Sequence, residues 1–497
     1  MFREHFTAGE QLALGLGHEL IIDNFAGGGG TSEGLEQAFG RPVDIAINHD
    51  PEALAMHAIN HPHTLHLCES VWTVDPIAVT NNRPVALVWL SPDCKHFSKA
   101  KGGTPVAKHI RGLAWVGLRW IAKTKPRCVI YENVEEFQSW GPLVLGEDGE
   151  WYPDPNKRGK TFESFVRQIR AHGYSVEWRE LRACDSGAPT IRKRLFLIAR
   201  RDGLPIAWPD QSHAEPVDRR VLAGNLAPWR TAADCIDFDT PAPSVFGRER
   251  PLVPNTLRRM ARGLWRHVIT SPEPYIVDRP TGTADRLTAA CLEQANGGFY
   301  DGDGRAVKAP LSTITASGTQ QRLVMAYLVK YYSSGGQDAA ANQPMHTLPT
   351  KGRMGLVEIE HRAAGGLSAE DRAAAMRCAD LLRQHLPERF GSCGDVVTIE
   401  HAGATWVLVD IGLRMLKPRE LFRAQGFPEH YVIDEIPDPA ALFEGGIQAA
   451  DPMKVRRIPL SATAQVRMCG NSVSPYQAKA IALANFRHET PEMRIAA

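Results

Sequence analysis

Over the first two hundred residues, short apolar runs alternate with stretches of helical spacing, and each run stops at a turn signal. Leu20-Ile21-Ile22 runs into Asp23-Asn24-Phe25 and the loop Gly27-Gly28-Gly29-Gly30. Val43-Asp44-Ile45-Ala46-Ile47 ends in Asn48-His49-Asp50, and Leu65-His66-Leu67 in Cys68-Glu69-Ser70. Leu87-Val88-Trp89-Leu90 stops at Ser91-Pro92, and Cys128-Val129-Ile130-Tyr131 at Glu132-Asn133-Val134. Apolar runs of this length between turn residues predict buried strands. Between them, Thr31 or Ser32 caps a helix through Glu33, Leu35 and Ala38, and Pro51 and Glu52 open another over 51–60. Leu113, Val116, Leu118, Trp120 and Ile121 predict a helix over 108–123, and a further helix is expected over 161–172. Two extended runs follow, Tyr174–Leu181 and Leu195–Ala199. This alternation predicts an α/β fold with a mostly parallel sheet and a ligand at its carboxyl edge.

Between residues 205 and 410 the pattern changes: prolines and glycines become frequent, helical spacing is poor, and short β-like runs alternate with polar turns. An interruption of about 200 residues is too long for a loop, so a second, irregular β-rich domain is expected. Pro310–Thr315 leading to Gln321–Val324 is echoed by Pro344–Leu348 leading to Gly355–Val357, an offset of 344 − 310 = 34 residues that suggests two similar β-loop units. Strand-like spacing resumes at Trp406-Val407-Leu408-Val409-Asp410, and an acidic, proline-containing insertion occupies 434–452. Gly470-Asn471-Ser472-Val473 is expected to open a last helix through Ala478, Ala480, Ile481 and Ala484.

Composition narrows the class. A chain of 497 residues exceeds one compact core, and 43% hydrophobic with 23% charged residues is ordinary for a globular protein. No apolar run approaches the roughly 20 residues that span a bilayer, and Met1-Phe2-Arg3-Glu4-His5 lacks a signal-peptide layout, so a cytoplasmic protein without a membrane partner is expected. Nine cysteines form no Cys-x-x-Cys pair, which argues against a disulfide framework and against a metal site. The net charge of +1 does not distinguish nucleic acid from other partners. Its distribution is more informative: Arg192, Lys193, Arg194, Arg200 and Arg201 cluster, and Arg258, Arg262 and Arg266 would share one helix face. A solvated face explains that spacing as well as a phosphate track does.

The strand ends carry the candidate chemistry. A glycine loop between strand and helix lets backbone N–H groups approach a ligand closely. Its spacing is neither the dinucleotide fingerprint, since Glu33 stands where a glycine is needed, nor a P-loop. An acid at the second strand end, here Asp50 beside His49, is the type that holds a ribose hydroxyl, and Glu69 follows at the third. Cys94 emerges beyond the fourth strand and Glu132 ends its neighbour, an acid–nucleophile arrangement. Arg192 and Arg194 would lie on one face of an extended chain.

In their order, these pieces resemble the C5-cytosine DNA methyltransferase family. Phe25-Ala26-Gly27-Gly28-Gly29-Gly30 resembles its S-adenosylmethionine loop, Pro92-Asp93-Cys94 its Pro-Cys nucleophile motif, and Glu132-Asn133-Val134 its Glu-Asn-Val motif. Arg192-x-Arg194 resembles its paired arginines. Pro418-Arg419-Glu420-Leu421 with Gln425-Gly426-Phe427-Pro428, and Gly470-Asn471-Ser472-Val473-Ser474-Pro475, resemble its last two motifs. The likeness spans residues 21–475, with departures at Asp93 and Lys95 around the cysteine, Thr190 before the arginines, and His49 at the position of the ribose-binding acid.

The resemblance implies a Rossmann-like, S-adenosylmethionine-dependent methyltransferase sheet plus a β-rich target-recognition domain. Residues 1–204 and 411–497 would form the catalytic domain and 205–410 the recognition domain, where Thr315, Ser317, Thr319, Gln320, Gln321 and Arg322 are base- and phosphate-contacting types that also suit a plain polar loop. It implies Cys94 as nucleophile with Glu132, Arg192 and Arg194 as catalytic partners. Phe25, Ala26, Gly27, Gly28, Gly30, His49, Asp50, Glu69, Asn471, Ser472 and Val473 would hold the cofactor. The partner would be double-stranded DNA, bound by a monomer with the target cytosine flipped out of the duplex, in restriction–modification or as a solitary methylase. A tRNA cytosine-5 methyltransferase and an inactive DNA-binding relative remain as alternatives.

Overall fold

The computed structural model describes residues 19–92, 112–147, 149–240, 242–272, 274–276, 286–290, 321–324, 327–330, 338–340, 343–345, 354–401 and 403–486. The chain divides into two compact units, one comprising Met1–Ser186, Lys193–Gln211 and Gln425–Ala497, the other Gly187–Arg192 and Ser212–Ala424.

In the first unit, β1 (Leu20–Asn24), β2 (Ile45–Ile47), β3 (Leu65–Leu67), β4 (Val85–Leu90) and β5 (Cys128–Asn133) pair in parallel in the order β3-β2-β1-β4-β5. Antiparallel β7 (Lys193–Arg200) and β6 (Ser175–Arg182) extend the sheet beyond β5. A hairpin from far downstream, β8 (Phe443–Glu444) and β9 (Ile447–Gln448), closes the opposite edge against β3. From β1 the chain steps outward to β3, then crosses back to β4. Such a reversal of strand order is where open α/β sheets bind ligands, here at the carboxyl ends of β1 and β4.

Every residue of β1 is buried and its apolar side chains alternate between two cores, as a sheet covered on both faces requires. Leu20 and Ile22 join a core with Trp120 and Ile121 of α3 (Val116–Thr124) and with Phe165 and Ile169 of α4 (Lys160–Ala171). Ile21 faces the other core, with Leu35 and Phe39 of α1 (Gly30–Phe39) and Ile481 and Phe486 of α6 (Pro475–Phe486). Gly34 makes that second layer possible, because a Cβ there would lie 2.4 Å from Pro475 O and 2.7 Å from Ala478 Cβ. The helix predicted over 51–60 is α2 (Pro51–Asn60).

Two expectations are corrected. Gly470 and Asn471 do not open the last helix; they end α5 (Ala462–Asn471), and α6 begins at Pro475. The break lies at Ser472, whose extended backbone (φ −77°, ψ 146°) stops one helix just before a proline suited to starting the next. In the second unit, the stretch read as poor in helix contains a 17-residue helix, Ala369–His385. Its signal is local: Ser368 Oγ accepts from Asp371 N at 3.0 Å, an N-cap followed by first-turn acids.

The second unit is otherwise β-rich. Its longest ladder pairs Met354–Ala363 with Ala404–Met415 antiparallel, with an irregularity between Glu360 and His361. Glu420, within the Pro418–Leu421 motif, is buried there and accepts from both Arg414 Nη atoms (2.8 and 3.0 Å), Lys417 N (2.6 Å) and Asp237 N (2.9 Å). That motif acid therefore fastens three chain segments together. Among the described residues, no helix is long and apolar enough to cross a membrane.

Candidate active site

The glycine loop leaves β1 through a series of left-handed residues, Phe25 (φ 65°), Gly27 (φ 55°) and Gly29 (φ 98°), which turn the chain into α1. Ala26 N donates to Ile47 O at 3.1 Å, tying the loop to the end of β2. Behind the loop there is no room for side chains. A Cβ at Gly29 would lie 2.1 Å from Tyr431 Oη, and one at Gly30 would lie 1.9 Å from Ser472 Oγ and 2.3 Å from Val473 O. The fold thus brings Ser472 and Val473 against Gly30. At Gly27 a Cβ would meet only Phe25 O, at 3.8 Å. No side chain caps α1, so its first amide groups and its positive dipole end face the loop.

At the second strand end, Asp50 has structural duties. Its Oδ1 accepts from Glu52 N (3.1 Å) and Ala53 N (3.2 Å), capping α2, and its Oδ2 pairs with Arg467, which also reaches Glu52 at 2.9 Å. His49 beside it is exposed. At the third strand end, Glu69 accepts from Thr73 Oγ1 at 3.1 Å. Asn471 is exposed at the end of α5.

Cys94, with Asp93 and Lys95, lies outside the described residues, as do Thr315, Ser317, Thr319 and Gln320. What holds the start of the cysteine loop is described. Asn133 Nδ2 donates to Pro92 O at 3.1 Å while its Oδ1 accepts from Val134 N at 2.9 Å, so the Glu-Asn-Val turn grips the residue where β4 ends. Glu132, 7% exposed, has Arg194 Nε 3.2 Å from its Oε1, and Arg194 is itself 4% exposed. Such an ion pair survives burial because each partner offsets the other's desolvation. The chain passes from the second unit to the first between Arg192 and Arg194. Arg192 is buried, in a segment anchored to its own unit by Ile191 N donating to Met345 O at 2.8 Å.

Residues 20–228 match the family described as C-5 cytosine-specific DNA methylase. Over this segment the chain is similar to that family. Its mostly parallel, Rossmann-like sheet is the fold class expected of an S-adenosylmethionine-dependent methyltransferase. Among relatives, the type II methyltransferase M.XorII of Xanthomonas oryzae pv. oryzae is 31% identical over 197 residues, covering 38% of this chain and 42% of that protein. M.AgeI of Thalassovita gelatinovora is 30% identical over 199 residues, covering 39% and 42%. M.AquIA of a Picosynechococcus strain is 25% identical over 239 residues, covering 45% of this chain and 89% of that protein. The chain therefore spans less than half the length of M.XorII and M.AgeI and most of M.AquIA.

Beneath the glycine loop lies a buried polar chain that the sequence did not announce. Asp23 Oδ2 is 2.9 Å from Ser32 Oγ, which is 2.9 Å from His57 Nε2; His57 Nδ1 is 2.8 Å from His66 Nε2, and His66 Nδ1 is 2.6 Å from Gln448 Oε1. Burial pushes Asp23 up to about 7 and His66 down to about 3. His57 is also held low, by burial and by the neighbouring His61 and His66. Gln448 Nε2 donates to Ala450 O at 3.1 Å, so Gln448 Oε1 must accept from His66. A neutral His66 then accepts from His57, and a neutral His57 from the Ser32 hydroxyl. Ser32 has no second proton, so the protonated Asp23 carboxyl is the donor that completes the chain.

Proposed function

We propose that this chain is a DNA cytosine-5 methyltransferase that takes its methyl group from S-adenosylmethionine. The observation that carries the reading is the buried Glu132–Arg194 pair, 3.2 Å apart, beside the Asn133–Pro92 contact that holds the start of the Cys94 loop. It joins an acid and a fixed positive charge at the carboxyl end of β5, next to Pro92, two residues before Cys94 in the sequence. The family match and the type II methyltransferase relatives support the same reaction.

The residues fit the cofactor. The loop is open at Gly27, α1 offers an uncapped N-terminus for a carboxylate, and Glu69 stands at the third strand end for the nucleoside. Phe25, Ala26, Gly27, Gly28, Gly30, His49, Glu69, Asn471, Ser472 and Val473 would hold it, whereas Asp50 is committed to its helix cap and to Arg467. When bound, S-adenosylmethionine supplies an electrophilic methyl group on a sulfonium.

Cytosine C5 is a poor nucleophile on its own. The Cys94 thiolate adds to C6 and makes C5 enamine-like, dividing one difficult step into two easier ones. Glu132 contacts N3 and the exocyclic amine and delivers a proton to the ring as negative charge develops. Arg194 holds Glu132 in place, and with Arg192 it stabilises that charge. Loss of the C5 proton and departure of the Cys94 sulfur then restore the ring. Because the target sits inside the duplex, the base is flipped out, and the second unit with its arginine-bearing helix Pro254–Leu264 is the candidate reader of the sequence. Arg258 of that helix pairs with Glu388 at 2.7 Å, which leaves the phosphate role to other residues.

Duplex DNA bearing 5-fluorocytosine tests the reading, because fluorine at C5 cannot leave as a proton. With S-adenosylmethionine, the wild type should form a denaturant-stable adduct that maps to Cys94 and is lost in Cys94→Ala. Absence of any adduct on DNA containing the recognised site would refute the assignment, and methyl incorporation into tRNA rather than DNA would redirect it.

A further inference from the structure

The third strand end is shaped by a segment nearly four hundred positions downstream. The β8–β9 hairpin turns through Gly445 (φ +57°) and Gly446 (φ +82°), with Phe443 opposite Gln448 and Glu444 opposite Ile447. Two left-handed residues in a two-residue turn define the type I′ hairpin, which glycine satisfies without strain. The hairpin is fastened to β3 at three successive residues. Gln448 Oε1 accepts from His66 Nδ1 at 2.6 Å, Ile447 pairs with Leu67, and Gly446 O accepts from Cys68 N at 2.7 Å.

The next residue on the β3 side is Glu69, and the two glycines meet it differently. A Cβ on Gly446 would lie 2.6 Å from Glu69 Cγ and 3.0 Å from its Oε1, whereas one on Gly445 would meet nothing within 4 Å. The bare backbone of Gly446 is therefore the floor on which the Glu69 side chain rests, with Thr73 holding its Oε2 from the other side at 3.1 Å.

We infer that Gly446 is a positioning residue for the Glu69 carboxylate, and that through it the edge hairpin sets the affinity for the nucleoside end of the cofactor without touching DNA recognition. This rests on the S-adenosylmethionine reading above. Gln448 anchors the hairpin, because its bond to buried His66 ends the polar chain that begins at Asp23 beneath the glycine loop. The loop and the edge hairpin, which flank the cofactor crevice, are thus linked through the protein interior.

Calorimetric binding of S-adenosylhomocysteine to the full chain tests this, using the wild type, Gly446→Ala, Gly445→Ala, Glu69→Ala and the Gly446→Ala/Glu69→Ala double variant. Gly446→Ala should bind roughly tenfold more weakly, since displacing a hydrogen-bonding group forfeits its contact. Gly445→Ala carries the same left-handed strain without the contact and should bind close to wild type. In the Glu69→Ala background, Gly446→Ala should have no further effect, the non-additivity expected of residues acting through one group. Duplex DNA affinity should be the same for all five proteins. Equal losses for the two glycine variants, or an undiminished Gly446→Ala effect without Glu69, would overturn the inference. A wild type that does not bind S-adenosylhomocysteine would remove the cofactor reading and this inference with it; a wild type and a Gly446→Ala that bind equally well would remove this inference alone.

Discussion

Replacing Asp23 by asparagine should make the protein more stable, and increasingly so as the pH rises. Asp23 is fully buried, its Oδ2 lies 2.9 Å from Ser32 Oγ, and its Oδ1 has no hydrogen-bond partner among the described residues. Burial raises its pKa from 3.8 to about 7, against smaller opposing effects of the Ser32 bond and of His61. A raised carboxyl pKa means that the folded chain holds a proton the unfolded chain has already released. Stability from that proton is therefore complete below pH 3.8 and is lost as the pH climbs through about 7. About three units at 1.4 kcal/mol each make the full loss roughly 4 kcal/mol, of which about 3 kcal/mol falls between pH 5 and pH 8. Asparagine keeps the shape and, through Nδ2, donates to Ser32 as the protonated acid does, but it cannot ionise. Urea unfolding of the full chain, followed by tryptophan fluorescence at several pH values, should show Asp23→Asn gaining on wild type by about 3 kcal/mol over that range. A constant difference between the two proteins, or one that shrinks as the pH rises, would refute both the neutral carboxyl and the direction of the chain from Asp23 to Gln448.

Other consequences are simpler to state. Asn24 is fully buried, and neither amide atom has a partner among the described residues, so Asn24→Leu should stabilise by about 1–3 kcal/mol in the same unfolding assay. Arg194→Lys would lose the planar guanidinium beside Glu132 and should slow single-turnover methylation roughly a hundredfold, with S-adenosylhomocysteine affinity unchanged. Asp50→Ala should cost about 1 kcal/mol of stability through the lost helix cap, seen as a lower melting temperature. His49→Ala should leave stability alone and weaken S-adenosylhomocysteine binding; the reverse pattern for these two variants would show that Asp50 serves the cofactor instead.

The sequence by itself determined whatever rests on neighbours a few positions apart. Alternating apolar runs marked β1 to β5, because a strand covered on both faces needs little else. Pro51 and Glu52 marked the start of α2, since residues of the first turn act locally, whereas the Asp50 cap came from the structure. Gly445-Gly446 between two short runs is a hairpin signal of the same kind, and Ser368 with Asp371 a helix signal, each set in a stretch of otherwise irregular pattern. The order of the chemical motifs was enough to point to the family that residues 20–228 match. It could not disclose Arg467 beside Asp50, Tyr431 against Gly29 or Gln448 on His66, which are separated by hundreds of residues and meet only through packing. Nor could it reveal that Asp23, Ser32, His57, His66 and Gln448 form one chain. Each is an ordinary polar residue in its own segment, and only burial between α1, α2 and the sheet removes water and forces them to satisfy one another. Tertiary structure decides such contacts because the cost of an unsatisfied polar group arises only after the fold has excluded solvent.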